Sequence, residues 1–127
     1  MDAVVMAGGR GVRLKPFTNY RPKPMIPFLN KPVMEYTIQK LKSAGFDRII
    51  VLLGYLPDTI REHFKNGEDF DIDIEYIDRN GPYGTAGAVK RAAELVDGPF
   101  MVLSADTITG MSFRKFMKFY EDKGGIH

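Results

Sequence analysis

The chain has 127 residues, 44% of them hydrophobic and 27% charged, which is the size and make-up of one folded domain rather than of a disordered or membrane-embedded chain. Its 18 cations against 16 acids leave a formal charge of +2, too little to argue by itself for a nucleic-acid partner. Cysteine is absent, which excludes a disulfide framework and a thiolate metal site; no stretch approaches the ~18 apolar residues of a membrane span, and the N-terminus carries no signal-peptide pattern, so a cytoplasmic protein is expected.

Residues 3–6 form a short apolar run that reads as a buried strand. Residues 7–27 follow with three glycines, four prolines and five cations, Arg10, Arg13, Lys15, Arg21 and Lys23. A loop so dense in glycine presents bare backbone N–H groups to an anion, because no Cβ holds the ligand away. The cations would neutralise what those N–H groups hold, so the loop reads as a polyphosphate cradle. It is not a Walker A loop, which needs Gly-x-x-x-x-Gly-Lys-Ser/Thr. Nor is it the dinucleotide fingerprint, whose third glycine is replaced by Leu14.

Val33, Met34, Ile38 and Leu41 fall at helical spacing, with Pro32 suited to the first turn, Lys40 and Lys42 in the last turns and Gly45 beyond; the spacing predicts a helix over 32–44. Residues 48–53, Arg-Ile-Ile-Val-Leu-Leu, read as a strand covered on both faces and hence as part of a parallel sheet. A second helix is expected over 57–64, started by Pro57 and ended by Asn66-Gly67. Residues 70–77 alternate, with Phe70, Ile72, Ile74 and Tyr76 on one side and Asp71, Asp73 and Glu75 on the other. That is a half-buried or edge strand whose acids line a solvated face rather than a metal site. After a turn-rich loop over 80–84, residues 85–95 read as a helix with Thr85 at or near its N-cap. Residues 100–103 are a further buried strand, from whose end Ser104, Ala105 and Asp106 emerge. A last helix over 112–123 repeats Phe113, Phe116, Met117 and Tyr120 on one face.

Strands and helices therefore alternate four times. The expected fold class is α/β, a Rossmann-like, doubly wound and mostly parallel sheet, with residues 1–127 acting as a single nucleotide-binding domain. In such sheets ligands sit outside the carboxyl ends of the strands. Three loops meet that condition: the glycine loop, the loop reaching Gly84 and Thr85, and the turn carrying Asp106.

Gly8, Gly9, Gly11, Arg13, Leu14, Pro16, Thr18, Pro22, Lys23, Pro24 and Met25, in register after an N-terminal strand, spell Gly-Gly-x-Gly-x-Arg-Leu-x-Pro-x-Thr followed by Pro-Lys-Pro-Met. This string resembles the signature of the sugar-phosphate nucleotidylyltransferases. The resemblance implies transfer of a nucleotidyl group from a nucleoside triphosphate to a sugar 1-phosphate, giving an NDP-sugar and pyrophosphate, in a fold of the nucleotide-diphospho-sugar transferase type. It implies that Ala7, Gly8, Gly9 and Gly11 lie against the nucleotide, that Arg13 meets the departing phosphates and Lys23 the reacting ones, and that Asp106 holds Mg²⁺. Gly84 and Thr85, within Gly-Thr-Ala-Gly-Ala, match the family's base- and sugar-side loop; that spelling is similar to the mannose-1-phosphate guanylyltransferases and their glucose-1-phosphate relatives.

The chemistry of these residue types agrees. A planar guanidinium suits two oxygens of a leaving pyrophosphate, an ammonium suits a single phosphate, and Mg²⁺ takes one or two carboxylates beside phosphate oxygens. Ser104-Ala105-Asp106 departs from the family's commoner Asn-Gly-Asp but keeps the carboxylate. Because the resemblance covers only the first part of that family's catalytic domain, the chain is expected to be the N-terminal part of a longer one. It would act alone, as a homo-oligomer or with a complementing chain. The alternative expectation is a non-catalytic nucleotide-binding or regulatory module. A dinucleotide-dependent dehydrogenase fits less well, since Leu53-Gly54 stands where an acidic residue should end the second strand.

Overall fold

A computed structural model describes residues 2–8, 21–78, 84–96 and 98–105. The long strands are β1 (Asp2–Ala7), β4 (Arg48–Leu53), β5 (Asp73–Asp78) and β6 (Phe100–Ser104); they form one parallel sheet in the order β5-β4-β1-β6. Two short strands, β2 (Pro27–Phe28) and β3 (Lys31–Pro32), pair antiparallel by themselves. Helices α1 (Val33–Ser43), α2 (Pro57–Phe64) and α3 (Gly84–Leu95) make the connections between the long strands.

The continuous apolar run of β4 needs cover on both faces, and it has it: Ile49 to Leu53 are all buried. Alternation divides its side chains. Ile49, Val51 and Leu53, with Ala3, Val5 and Ala7 of β1, pack against Met34, Ile38 and Leu41 of α1 and Ile60 and Phe64 of α2. Ile50, Leu52 and Val4 face the other way, onto Ala88 and Ala92 of α3. Two helices thus cover one face and the third covers the opposite face. Right-handed connections require this when the chain first steps outward from β1 to β4 to β5 and then crosses back over β1 to β6. Among the described helices none is long and apolar enough to cross a membrane.

The expected strand over 48–53 and helix over 57–64 are found as such, and α1 is one residue shorter at each end than its pattern suggested. Pro32 stands at its N-cap, with φ −55° and ψ 140°, rather than in its first turn. The strand expected over 70–77 begins only at Asp73. Gly67 and Asp71 take left-handed backbone, and residues Glu68–Phe70 close a 3-10 turn between them through Phe70 N–H to Gly67 O (2.9 Å) and Asp71 N–H to Glu68 O (3.2 Å). Local turn bonds therefore take the N–H groups that a strand would have offered to β4. Two of the three acids of this segment are engaged by cations: Asp71 accepts from Lys42 Nζ at 2.8 Å, which lowers its carboxyl pKa, and Glu75 lies 3.6 Å from Arg48. The expected helix over 112–123 lies outside the described residues.

Candidate functional site

Strand order reverses between β1 and β6, and a sheet of this kind opens a crevice at that point, beyond the carboxyl ends of the two strands. Register aligns those ends. Ala7 pairs with Leu53 and Leu53 with Asp78, while Met6 pairs with Ser104. Ala7, buried, is the last residue of β1, and Gly8 leaves the sheet directly beside Gly54. The Tyr55 N–H donates to Gly8 O at 3.2 Å, which carries the β1–β4 pairing one step past the strands.

On the other side of the crevice, the Ala105 N–H donates to Met6 O at 2.9 Å, and Thr37 Oγ1 of α1 donates to Ala105 O at 3.0 Å. Thr37 is fully buried, so this bond forms away from competing water. Ala105, the residue leading into Asp106, is therefore held at both its N–H, by β1, and its carbonyl, by α1. Asp106 itself lies outside the described residues, as do Gly9, Gly11 and Arg13.

Lys23 opens a 3-10 turn, Lys23–Met25, closed by Met25 N–H to Pro22 O at 2.9 Å. Pro22 and Pro24 are buried, and Met25 packs on the core beside α1 and α2. Val33 N–H donates to Ile26 O at 3.0 Å, so the segment is fastened to the first turn of α1. Since α1 runs back from the carboxyl edge to the start of β4, that turn lies on the carboxyl side of the sheet, where the sequence reading needs Lys23.

Gly84 begins α3 and Thr85 is the next residue, in its first turn and so near the N-terminus of the helix. The chain enters the loop before it from Asp78, which is gripped from both faces of the sheet. Arg61 of α2 donates to both carboxylate oxygens at 2.8 Å, and Arg91 of α3 donates to the backbone carbonyl at 2.6 Å. Neighbouring Tyr76 donates to Lys65 O at 2.6 Å. Burial pushes its pKa up to about 12 although Arg61 lies near the ring, so the hydroxyl stays protonated at neutral pH.

Sequence reasoning placed Ala7 and Gly8 at the strand end where the structure has them and Lys23 on the same side, and it located the exit toward Asp106. It named Gly54 only as the lack of an acidic residue after β4, and it passed over Thr37. Each left a signal: a glycine immediately after the five-residue apolar run of β4, and a hydroxyl among Met34, Ile38 and Leu41 on the buried stripe of a helix. Among the described residues no group of three or more His, Asp or Glu side chains gathers as a metal site.

The model of the family described as nucleotidyl transferase matches residues 2–126. The chain is 34% identical, over 99% of its length, to the UTP–glucose-1-phosphate uridylyltransferase of Synechocystis sp., and 35% identical, over 98%, to mannose-1-phosphate guanylyltransferase 1 of Arabidopsis thaliana. It spans 36% of the length of each of these curated relatives. Among solved structures, HddC from Yersinia pseudotuberculosis complexed with GMP-PN superposes with a TM-score of 0.80 at 33% identity, over 95% of this chain and 54% of that one. A UDP-glucose pyrophosphorylase complexed with UDP-glucose matches in fold, with a TM-score of 0.79 at 20% identity, over 97% of this chain and 54% of that one.

Proposed function

The chain belongs to the nucleotidyl transferase family, and from that premise we propose that it carries the nucleotide side of a reaction in which a nucleoside triphosphate and a sugar 1-phosphate give an NDP-sugar and pyrophosphate. The observation that carries this reading is the juxtaposition at the strand-order reversal. The root of the glycine loop and the exit toward Asp106 leave adjacent strands on the same edge, tied to one another through Ala105 and Met6.

The sugar phosphate attacks the α-phosphorus of the triphosphate, the bond to the β-phosphate oxygen breaks, and pyrophosphate departs. Such a step needs alignment and neutralisation of charge on phosphate oxygens more than it needs covalent help from the protein. In this reading the N–H groups of Gly8, Gly9 and Gly11 hold the phosphates, and the Arg13 fork takes two oxygens of the leaving pyrophosphate. The Lys23 ammonium meets the reacting phosphate, and the segment with Gly84 and Thr85 lies on the base and sugar side. Asp106 offers the hard oxygen donor that Mg²⁺ prefers, with triphosphate oxygens as further ligands. When bound, the ion would neutralise phosphate charge. A cytoplasmic setting for the reaction is part of the same proposal.

Both uridylyl and guanylyl transferases stand among the relatives, so the base is to be found by assay. Pyrophosphate release is measured over a panel of nucleoside triphosphates and sugar 1-phosphates with Mg²⁺; one productive pair is expected. Triphosphate binding without release from any pair would assign the chain nucleotide binding alone. Arg13→Ala is expected to weaken triphosphate binding about tenfold more than monophosphate binding, in line with one lost charge-assisted bidentate contact. Equal loss for both ligands would overturn the phosphate assignment.

A further inference from the structure

We propose that Gly54 is a positioning residue for the phosphate loop: its bare α-carbon, together with the Tyr55 amide, sets where the loop leaves β1. This deepens the reading above and rests on the loop's role as a phosphate cradle. Gly54 follows β4 and lies outside the glycine loop itself. Its part is to form the floor on which the cradle starts.

A Cβ built on Gly54 would stand 2.7 Å from the carbonyl oxygen of Gly8, 2.8 Å from its Cα and 3.2 Å from its carbonyl carbon. All three are backbone atoms. A flexible side chain could swing away from such a contact, but a backbone at the end of a buried strand moves only as a unit. Gly8 is fixed on one side by Ala7, buried and in register with Leu53, and held in place by the Tyr55 N–H at 3.2 Å. Relief of the contact therefore requires Gly8 itself to shift. Two glycines meet face to face here because the backbones approach closer than any Cβ permits. An atom inserted between them displaces the N–H groups by up to about an ångström, which is enough to spoil hydrogen bonds aimed at phosphate oxygens.

The test compares Gly54→Ala with Gly45→Ala. Gly45 has φ +95° and nothing within 4 Å of an added Cβ, and it follows α1 at the opposite edge of the sheet, so its substitution strains the backbone without touching the loop. Binding of inorganic tripolyphosphate and of the nucleoside triphosphates is measured by calorimetry at a temperature where every variant is folded, with thermal midpoints recorded alongside. Gly54→Ala is expected to weaken tripolyphosphate and each nucleoside triphosphate by the same factor, about tenfold, whereas Gly45→Ala binds within about twofold of the wild type even where its midpoint falls. Should Gly54→Ala not fold, Tyr55→Pro replaces the N–H that holds Gly8 O by a ring carbon facing the same oxygen and leaves residue 54 a glycine, and a common weakening of about threefold or more is expected.

Wild-type affinity in the folded Gly54→Ala protein would overturn the proposal. So would a loss confined to nucleosides with tripolyphosphate binding intact, or an equal loss in Gly45→Ala. A wild-type chain that binds neither tripolyphosphate nor any nucleoside triphosphate would refute the phosphate-cradle reading itself, and the role of Gly54 with it.

Discussion

Thr37 occupies a position that helical spacing otherwise gives to apolar side chains, and its hydroxyl spans 68 residues of sequence to reach the carbonyl of Ala105. Replacing it by valine keeps the shape and removes the donor, so that carbonyl loses a buried partner. Thr37→Val is expected to lower stability by about 1–3 kcal/mol, while Thr37→Ser stays nearer the wild type because the donor is retained. Urea midpoints of the three proteins check this; a valine variant as stable as the wild type would show that the bond is replaceable. At the same scale, helical periodicity made the burial of position 37 legible, because 34, 37, 38 and 41 share one stripe. The partner was not legible, since nothing local to Thr37 names a carbonyl at the end of another strand.

At the scale of elements, the parallel strands and the helices that cover them follow from short-range pattern. β4 is continuous and β-branched, so it had to be central; α1 and α2 show one apolar stripe each. Where the reading missed, local backbone chemistry outweighed side-chain alternation. The left-handed Gly67 and Asp71 hold Phe70 in a turn, and the Leu29-Asn30 pair, both at positive φ, closes the β2–β3 hairpin where the sequence suggested only a loop running into a helix. The helix α3 meets the sheet through alanines, Ala88 and Ala92, both fully buried over Val4, Ile50 and Leu52. Small residues there let the helix axis lie close to the strands. Ala92→Leu is expected to destabilise by about 1–3 kcal/mol through overpacking, read as a lower denaturation midpoint with an unchanged slope. An unaltered midpoint would mean that α3 can lift without loss.

For the whole molecule, the decisive feature is the strand order. β1 and β4 are hydrogen-bonded on both sides, whereas β5 and β6 each have one partner among the described strands. Hydrogen exchange is expected to be slowest at the amides of β1 and β4 and faster along the outer strands, because opening the centre requires the sheet to come apart. Equal protection in all four would contradict this ordering. The same order sets β6 beside β1 rather than beyond β5, and a crevice opens outside the carboxyl ends of strands where the order reverses in this way.

Sequence by itself determined the class of fold, the identity of the loops and the chemistry they offer, because hydrophobic period, glycine content and charge type are properties of neighbouring residues. It also carried the family through a string whose spacing lies within one segment. The tertiary structure alone decided that β6 inserts beside β1, that Ala105 is fastened to Met6 and Thr37, and that Gly54 lies beneath the start of the glycine loop. Those contacts join residues remote from one another in the chain, 68 positions apart in the case of Thr37 and Ala105. No local pattern encodes which strand end will face which, because that choice follows from how all the helices and strands pack at once.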